Sequence, residues 1–131
     1  MIESNPKVLF FLKTPPPITG ATLMNERVSK SNLLFKKYHI KNINISYSNS
    51  IKDLGRFQIS KGLKFFKYIF LLTKELLFFK PDLIYFQIST TGLSFIRDSL
   101  YVFMMKLFNK KIVFHLRSKG IKRAIKNKFV N

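Results

Sequence analysis

Along the chain, short densely apolar runs alternate with longer stretches in which apolar residues recur every three or four positions. Lys7 to Lys13 contains Val8-Leu9-Phe10-Phe11-Leu12, continuously apolar, as a strand covered on both faces would be. Pro15-Pro16-Pro17 must end that strand near Thr14, because proline has no N–H donor and drives the preceding residue toward extended backbone. From Gly20 the spacing becomes helical. Ala21 to Lys37 carries Leu23, Met24, Val28, Leu33, Leu34 and Phe35 among polar residues, which predicts one surface helix with one buried face. Thr19 or Thr22 is placed to cap its start, and Lys36, Lys37 and His39 to occupy its C-terminal end, where cations are favoured. Ile43, Ile45 and Tyr47 alternate with Asn44 and Ser46 and read as a half-exposed second strand. Residues 48–60, with Gly55, have no period and read as a loop. Lys61 to Lys80 predicts a second helix, with Phe65, Phe66, Ile69, Leu72, Leu76 and Leu77 on one broad side and Lys64, Lys67 and Lys74 clustered on the other. Pro81-Asp82 stops it, and Leu83 to Ile88 forms a third strand. A polar loop, Ser89-Thr90-Thr91-Gly92, leads to a third helix over Leu93 to Phe108, a turn at Asn109-Lys110 and a fourth strand over Lys111 to Leu116. Arg117-Ser118-Lys119-Gly120 follows, and the basic segment Ile121 to Asn131 has the pattern of a further helix beginning.

Strands alternating with helices imply parallel pairing through right-handed crossovers, hence an α/β, doubly wound, Rossmann-like sheet of four strands with three main helices. The alternation in strand two marks it as an edge, so strands three and four grow on the other side of strand one, and the expected order is 2-1-3-4. In such sheets ligands bind beyond the carboxyl ends of the strands, where the winding direction reverses. Here that point lies between strands one and three, where Pro15 to Gly20 and Ser89 to Gly92 meet, with His115 to Ser118 as the next neighbour. Strand, tight loop, glycine and helix start together leave backbone N–H groups and a partial positive charge facing an anion. This makes Thr19, Gly20 and Ala21 a phosphate-facing corner, although a single glycine is neither a dinucleotide fingerprint nor a P-loop.

A chain of 131 residues suits one domain. Its hydrophobic share is 47%, with 15 Phe and 5 Tyr, enough for a substantial core. Phe65 to Phe79 and Leu93 to Phe108 are the most apolar runs, but Lys67, Lys74, Glu75, Arg97, Asp98 and Lys106 interrupt them, short of the roughly 20 apolar residues a membrane span needs. No secretory signal is evident, and the lack of cysteine excludes disulfides and thiolate metal sites and is compatible with a cytoplasmic address. Charge is the strongest compositional feature: 24 Lys and Arg against 6 Asp and Glu, a net of +18. Such an imbalance fits nucleic acid, an anionic membrane surface or phosphate-bearing substrates, and a lysine bias also follows from genomic base composition. Lys61, Lys64, Lys67 and Lys74 form the face expected to meet solvent or lipid headgroups.

The few carboxylates narrow the chemistry. Asp82 stands at the amino end of strand three, Glu75 lies inside an apolar helix, and Glu3 and Asp53 fall in segments without clear structure. Glu26 reads as a dipole contact in the first turns of helix one. Asp98 alone is near the crevice, and a local ion pair with Arg97 is its expected role. No two carboxylates are placed to flank a glycosidic bond, and neither metal-ligand spacing nor a Ser-His-acid set is present. His115 stands at a strand's carboxyl end, either touching a substrate hydroxyl or phosphate or serving as a core histidine with one satisfied nitrogen.

Lys7-Val8-Leu9-Phe10, Pro15-Pro16-Pro17 with Gly20 and Asn25, Pro81-Asp82-Leu83-Ile84-Tyr85-Phe86, Thr91-Gly92, Arg97-Asp98, and Ile112-Val113-Phe114-His115-Leu116 with Lys119-Gly120 follow one another in order over nearly the whole chain. In this the sequence resembles the opening half of bacterial glycosyltransferases of the GT-B fold, the family-4-like group that builds cell-envelope and exopolysaccharide glycans. The resemblance implies a sugar transferred from a nucleotide-sugar to a glycan or lipid-linked acceptor across a cleft between two Rossmann-like domains. It implies that Gly20 and its neighbours, with Asn25, face donor phosphates and acceptor, and that Thr91, Gly92 and His115 line the acceptor side. Where the family often reads His-x-His, this chain reads His115-Leu116-Arg117, so that Arg117 takes the second position as a candidate phosphate-binding guanidinium. On this reading the chain is an incomplete N-terminal domain without the nucleotide-sugar domain, binds no cofactor itself, is expected not to turn over alone, and sits in the cytoplasm or peripherally on the inner face of the membrane. Two other classes fit the composition. A small basic nucleic-acid-binding module lacks a recognisable reader motif, and a non-catalytic binding protein of flavodoxin-like type lacks a phosphate loop rich in Ser and Thr.

Overall fold

The structure, a computed structural model, describes residues 4–53, 58–90 and 92–116. The elements run β1 (Lys7–Lys13), α1 (Gly20–Ser29), α2 (Asn32–Lys37), β2 (His39–Ile45), a 3-10 turn (Ile51–Asp53), α3 (Ile59–Phe78), β3 (Leu83–Gln87), α4 (Gly92–Leu107) and β4 (Lys111–His115). The four strands form one all-parallel sheet in the order β2-β1-β3-β4, the expected Rossmann-like arrangement.

The unbroken apolar run in β1 is explained by the two layers around it. Leu9 and Phe11 point to one face, where Ile43, Ile45, Ile84 and Phe86 join Tyr68, Leu72 and Leu76 of α3 and Tyr101 and Met105 of α4. Val8, Phe10 and Leu12 point to the other, where Ile40 of β2 joins Val28 of α1 and Leu34 of α2. Each fully buried aliphatic or aromatic side chain contributes about 1.5–3 kcal/mol. The first face therefore holds most of the core.

The single first helix expected from the spacing is two helices. Lys30 leaves the helical region (φ −107°, ψ 10°) and Ser31 is extended (φ −70°, ψ 112°). Ser29, Ser31 and Asn32 supply short polar side chains that compete with the helical ladder. The Ser29 hydroxyl donates to the Glu26 carbonyl at 2.8 Å, and the Ser29 carbonyl accepts from Asn42 Nδ2 at 3.3 Å. Two expectations change with this break. Glu26 is not in a first turn; it lies near the end of α1 and pairs with Lys30 one turn on, at 2.7 Å. His39 is not a helix end either. It opens β2, its N–H donates to the Pro6 carbonyl at 2.9 Å, and its ring meets Phe79 edge-on at 5.3 Å. Consequently β2 starts before Ile43 and pairs residue for residue with β1, from Lys7 opposite His39 to Lys13 opposite Ile45.

Both long helices end on a left-handed residue, Lys80 (φ 51°) after α3 and Asn109 (φ 54°) after α4. These turn the last N–H groups back onto the Glu75 carbonyl after α3 and the Met105 carbonyl after α4, satisfying carbonyls that a helix end leaves open. Gly92 opens α4 at φ 69°, a backbone angle a side chain disfavours, so glycine is required there although the space around it is open.

Candidate functional site

β1, β2 and β3 all point their carboxyl ends at the same rim, and the loops that follow them enclose an open cavity of about 750 Å³. Its wall takes Pro16, Pro17 and Thr19 from the proline loop, Tyr47 and Ser48 after β2, and Ser89 after β3. The first residues of α3 and α4 complete it, including Lys61, Phe65, Gly92 and Arg97. The expected convergence of the proline and Ser-Thr loops at the reversal point of the sheet is thus observed. Pro15-Pro16 and Pro16-Pro17 are both cis. The loop is held at both sides, by the Ser46 hydroxyl donating to the Pro16 carbonyl at 2.6 Å and the Thr22 hydroxyl donating to the Pro17 carbonyl at 2.8 Å.

The charged centre of the rim is Asp98, whose side chain is only 1% exposed. Its Oδ2 accepts from the Lys13 ammonium at 3.0 Å and from the Ser89 N–H at 2.8 Å, and its Oδ1 accepts from Arg97 Nε at 2.9 Å and Nη2 at 2.8 Å. Lys13 also donates to the Ser89 hydroxyl. Burial by itself pushes the Asp98 carboxyl up, but Lys13, Arg97 and the Ser89 N–H outweigh it and hold the group below the usual carboxylate range. Burial lowers the Lys13 ammonium from its ordinary value, the Arg97 cation lowers it further, and Asp98 only partly offsets both. Burial disfavours the Lys13 charge more than its partners restore it, whereas the single carboxylate is favoured by two cations. The cluster carries a net positive charge that an incoming anion would neutralise.

Arg97 is oriented a second time by an aromatic face, with its guanidinium 4.0 Å from the centre of the Tyr47 ring. The Tyr47 and Tyr101 hydroxyls bond each other, and Tyr101 meets Phe11 edge-on at 4.9 Å. Burial pushes the Tyr47 phenol up to about 12 and raises that of Tyr101 as well, so both remain neutral donors at physiological pH. The cavity therefore joins cationic and hydroxyl groups to an apolar floor. Among the described residues it has no carboxylate free to act as a general base and no cluster able to hold a metal ion.

The individual site residues fare differently. Thr19, Ala21 and Gly92 line the cavity. Thr19 is the N-cap of α1, and its Oγ1 accepts from the Thr22 N–H at 3.2 Å while its own N–H donates to Thr22 Oγ1 at 2.9 Å. It serves the helix before any ligand. Gly20 begins α1 beside it but is not a lining residue, and Asn25 is 1% exposed and fixes the rim from within. Asn25 Nδ2 donates to the Lys13 carbonyl at 2.8 Å and to Gln87 Oε1, joining the ends of β1 and β3 to α1. His115 does not line the cavity; its Nδ1 bonds the Tyr85 hydroxyl and its ring meets Tyr85 edge-on at 5.6 Å. The half-buried ring thus has its Nδ1 engaged within the fold. Thr91 and Arg117 lie outside the described residues.

Lys61 lines the cavity and donates to the Asp53 carbonyl at 2.5 Å, and Lys64 reaches the Tyr47 carbonyl at 3.5 Å, whereas Lys67 and Lys74 are exposed on the outside of α3. Sequence reasoning missed Lys13 and Gln87. A signal was present: each is the polar residue that follows an apolar run at the carboxyl end of its strand. No family model, curated protein or solved structure matches the chain.

Proposed function

We propose that this chain is the acceptor-side, N-terminal part of a glycosyltransferase that moves a sugar from a nucleotide-sugar to a cell-envelope or polysaccharide acceptor. One observation carries the reading: a cavity of about 750 Å³ at the reversal point of a parallel sheet, walled by apolar surface and headed by Lys13 and Arg97, which share a single carboxylate. A phosphorylated sugar suits such a place. Its phosphate would meet the surplus cation, its hydroxyls the Ser48, Ser89 and Tyr47 oxygens, and its less polar ring face the Phe65 and Leu100 side. The donor nucleotide would be held by a partner domain, in the cytoplasm against the inner face of the membrane, where soluble donors meet lipid-linked acceptors.

A second reading, a non-catalytic α/β binding module, is favoured by Asp98 itself. Its oxygens are already occupied by Lys13, Arg97 and Ser89, which leaves the cavity equipped to bind rather than to abstract a proton. Titrating the isotope-labelled chain with sugar phosphates and nucleotide-sugars, followed by amide chemical shifts, tests both. Shifts at Ala21, Ser89 and Gly92 that vanish in Arg97→Met support an anion-binding sugar site. Shifts confined to other surfaces, or none, remove it. Product formed on adding donor and acceptor would exclude the purely non-catalytic module.

A further inference from the structure

Helix α3 was expected to bury one apolar side and show lysines on the other. Its buried residues, Tyr68, Leu72 and Leu76, do face the sheet. On the opposite side, at about 100° per residue, lies a second apolar stripe rather than a polar one. Ile59, Leu63, Phe66, Phe70 and Leu77 recur at helical spacing along it, and Phe66 and Phe70 are each 70% exposed. Helix α4 repeats the arrangement. Asp98, Tyr101 and Met105 face inward, and Leu93, Ile96, Leu100, Phe103 and Leu107 form an outer stripe in which Phe103 is 61% exposed. The two helices pack on the same face of the sheet, through one shared core cluster. The molecule thus shows water a paired apolar surface, larger than scattered exposed side chains require.

Charge identifies what covers it. Lys67 and Lys74 flank the α3 stripe and Lys106 belongs to α4, all exposed. Among the described residues, the acidic groups of these helices are Glu75, paired with Lys41 at 3.1 Å, and Asp98, buried in its cluster. A second copy would set lysine against lysine in a chain of net charge +18. An anionic headgroup layer would neutralise those lysines and accept the phenylalanines beneath them. No described helix is long and apolar enough to cross a bilayer, so the helices would lie along it. Leu93, Ile96 and Leu100 belong both to the stripe and to the cavity wall, so a docked chain would open its cavity beside the lipid surface.

We propose that the outer faces of α3 and α4 form an interfacial surface that docks on an anionic membrane, with Phe66, Phe70 and Phe103 inserted and Lys67 and Lys74 on the headgroups. This rests on the two stripes and is independent of the sugar-transfer reading. The test is sedimentation of the full chain with vesicles of phosphatidylcholine alone or mixed with phosphatidylglycerol, with its oligomeric state measured in parallel without lipid. Strong binding to the mixed vesicles is expected. Lys67→Gln and Lys74→Gln should each weaken it about fivefold. Phe66→Ser and Phe103→Ser should each weaken it about tenfold, with unchanged far-ultraviolet circular dichroism because both side chains are exposed in the fold. Three results would overturn the proposal: no binding to mixed vesicles, binding unaffected by the phenylalanine substitutions, or a stable dimer that those substitutions disperse. Loss of membrane binding with sugar-phosphate shifts intact would leave the cavity reading standing, and the reverse result would leave this one.

Discussion

The two rims of the sheet are built from similar residue types to opposite ends. At the amino rim, Asp82 is exposed and binds backbone: its carboxylate accepts from the Lys7 N–H at 2.8 Å and its own N–H donates to the Lys7 carbonyl at 2.8 Å. Nearby, the half-buried Glu75 pairs with the exposed Lys41, and the Lys41 and Lys7 ammonium groups lie 5.1 Å and 5.8 Å from the Phe79 ring centre. Asp82, Lys41 and Lys7 stay exposed, and Glu75 alone of this group is largely covered. At the carboxyl rim, Asp98, Asn25 and Gln87 are buried, and Lys13 and Arg97 are drawn in with them. Burying charge is expensive unless each group is answered, and the carboxyl rim answers Asp98 more completely than it answers its two cations. The cost marks the rim that has a use for unspent charge.

Breaking the carboxyl rim should therefore cost most. Asp98→Ala leaves Lys13 and Arg97 facing each other without their shared carboxylate, and a loss of about 3–5 kcal/mol in urea unfolding is expected. The pH dependence sharpens this. Because the Asp98 carboxyl is held below its ordinary value, its contribution is complete above the unfolded carboxylate range and is lost as pH falls through the folded value. The wild-type chain should lose stability on acidification more steeply than Asp98→Ala does; parallel acid limbs would mean that other carboxylates dominate.

Next in size is Asn25→Ala. It removes the bridge from α1 to the ends of β1 and β3, and about 1–3 kcal/mol should be lost, with faster amide exchange at Thr14, Ile18 and Thr19, which flank the prolines. An unchanged exchange rate there would show that the Pro16 and Pro17 carbonyl contacts suffice. At the amino rim, Glu75→Gln should cost no more than about 1 kcal/mol, and less as salt is raised, since its partner Lys41 is exposed. An effect as large as that of Asp98→Ala would erase the distinction between the rims.

Strand order was legible because it depends only on alternation and on which strand shows an exposed face, and the continuous run in β1 and the alternation near Ile43 and Ile45 supplied both. The break at Ser31 was not, because Leu33 and Leu34 keep the helical spacing going across it. The Arg97–Asp98 pair was legible as sequence neighbours, but Lys13 is 85 residues from Asp98, and no local pattern reports such a contact. The outer stripes escaped for a related reason. A helix apolar on two sides gives one broad apolar sector in projection, and only the position of the sheet tells Leu72 and Leu76 from Phe66 and Phe70.

The reciprocal bonds between Thr19 and Thr22 leave the entrance of α1 with few hands to offer. The amides of Gly20 and Ala21 are the open donors of that turn among the described residues, too few to wrap an anion as a glycine-rich cradle does. Any phosphate seated at this corner must be gripped from across the gap by side chains on β1 and α4. Its affinity should accordingly fall with added salt, as that of a ligand held by full side-chain charges rather than by backbone dipoles.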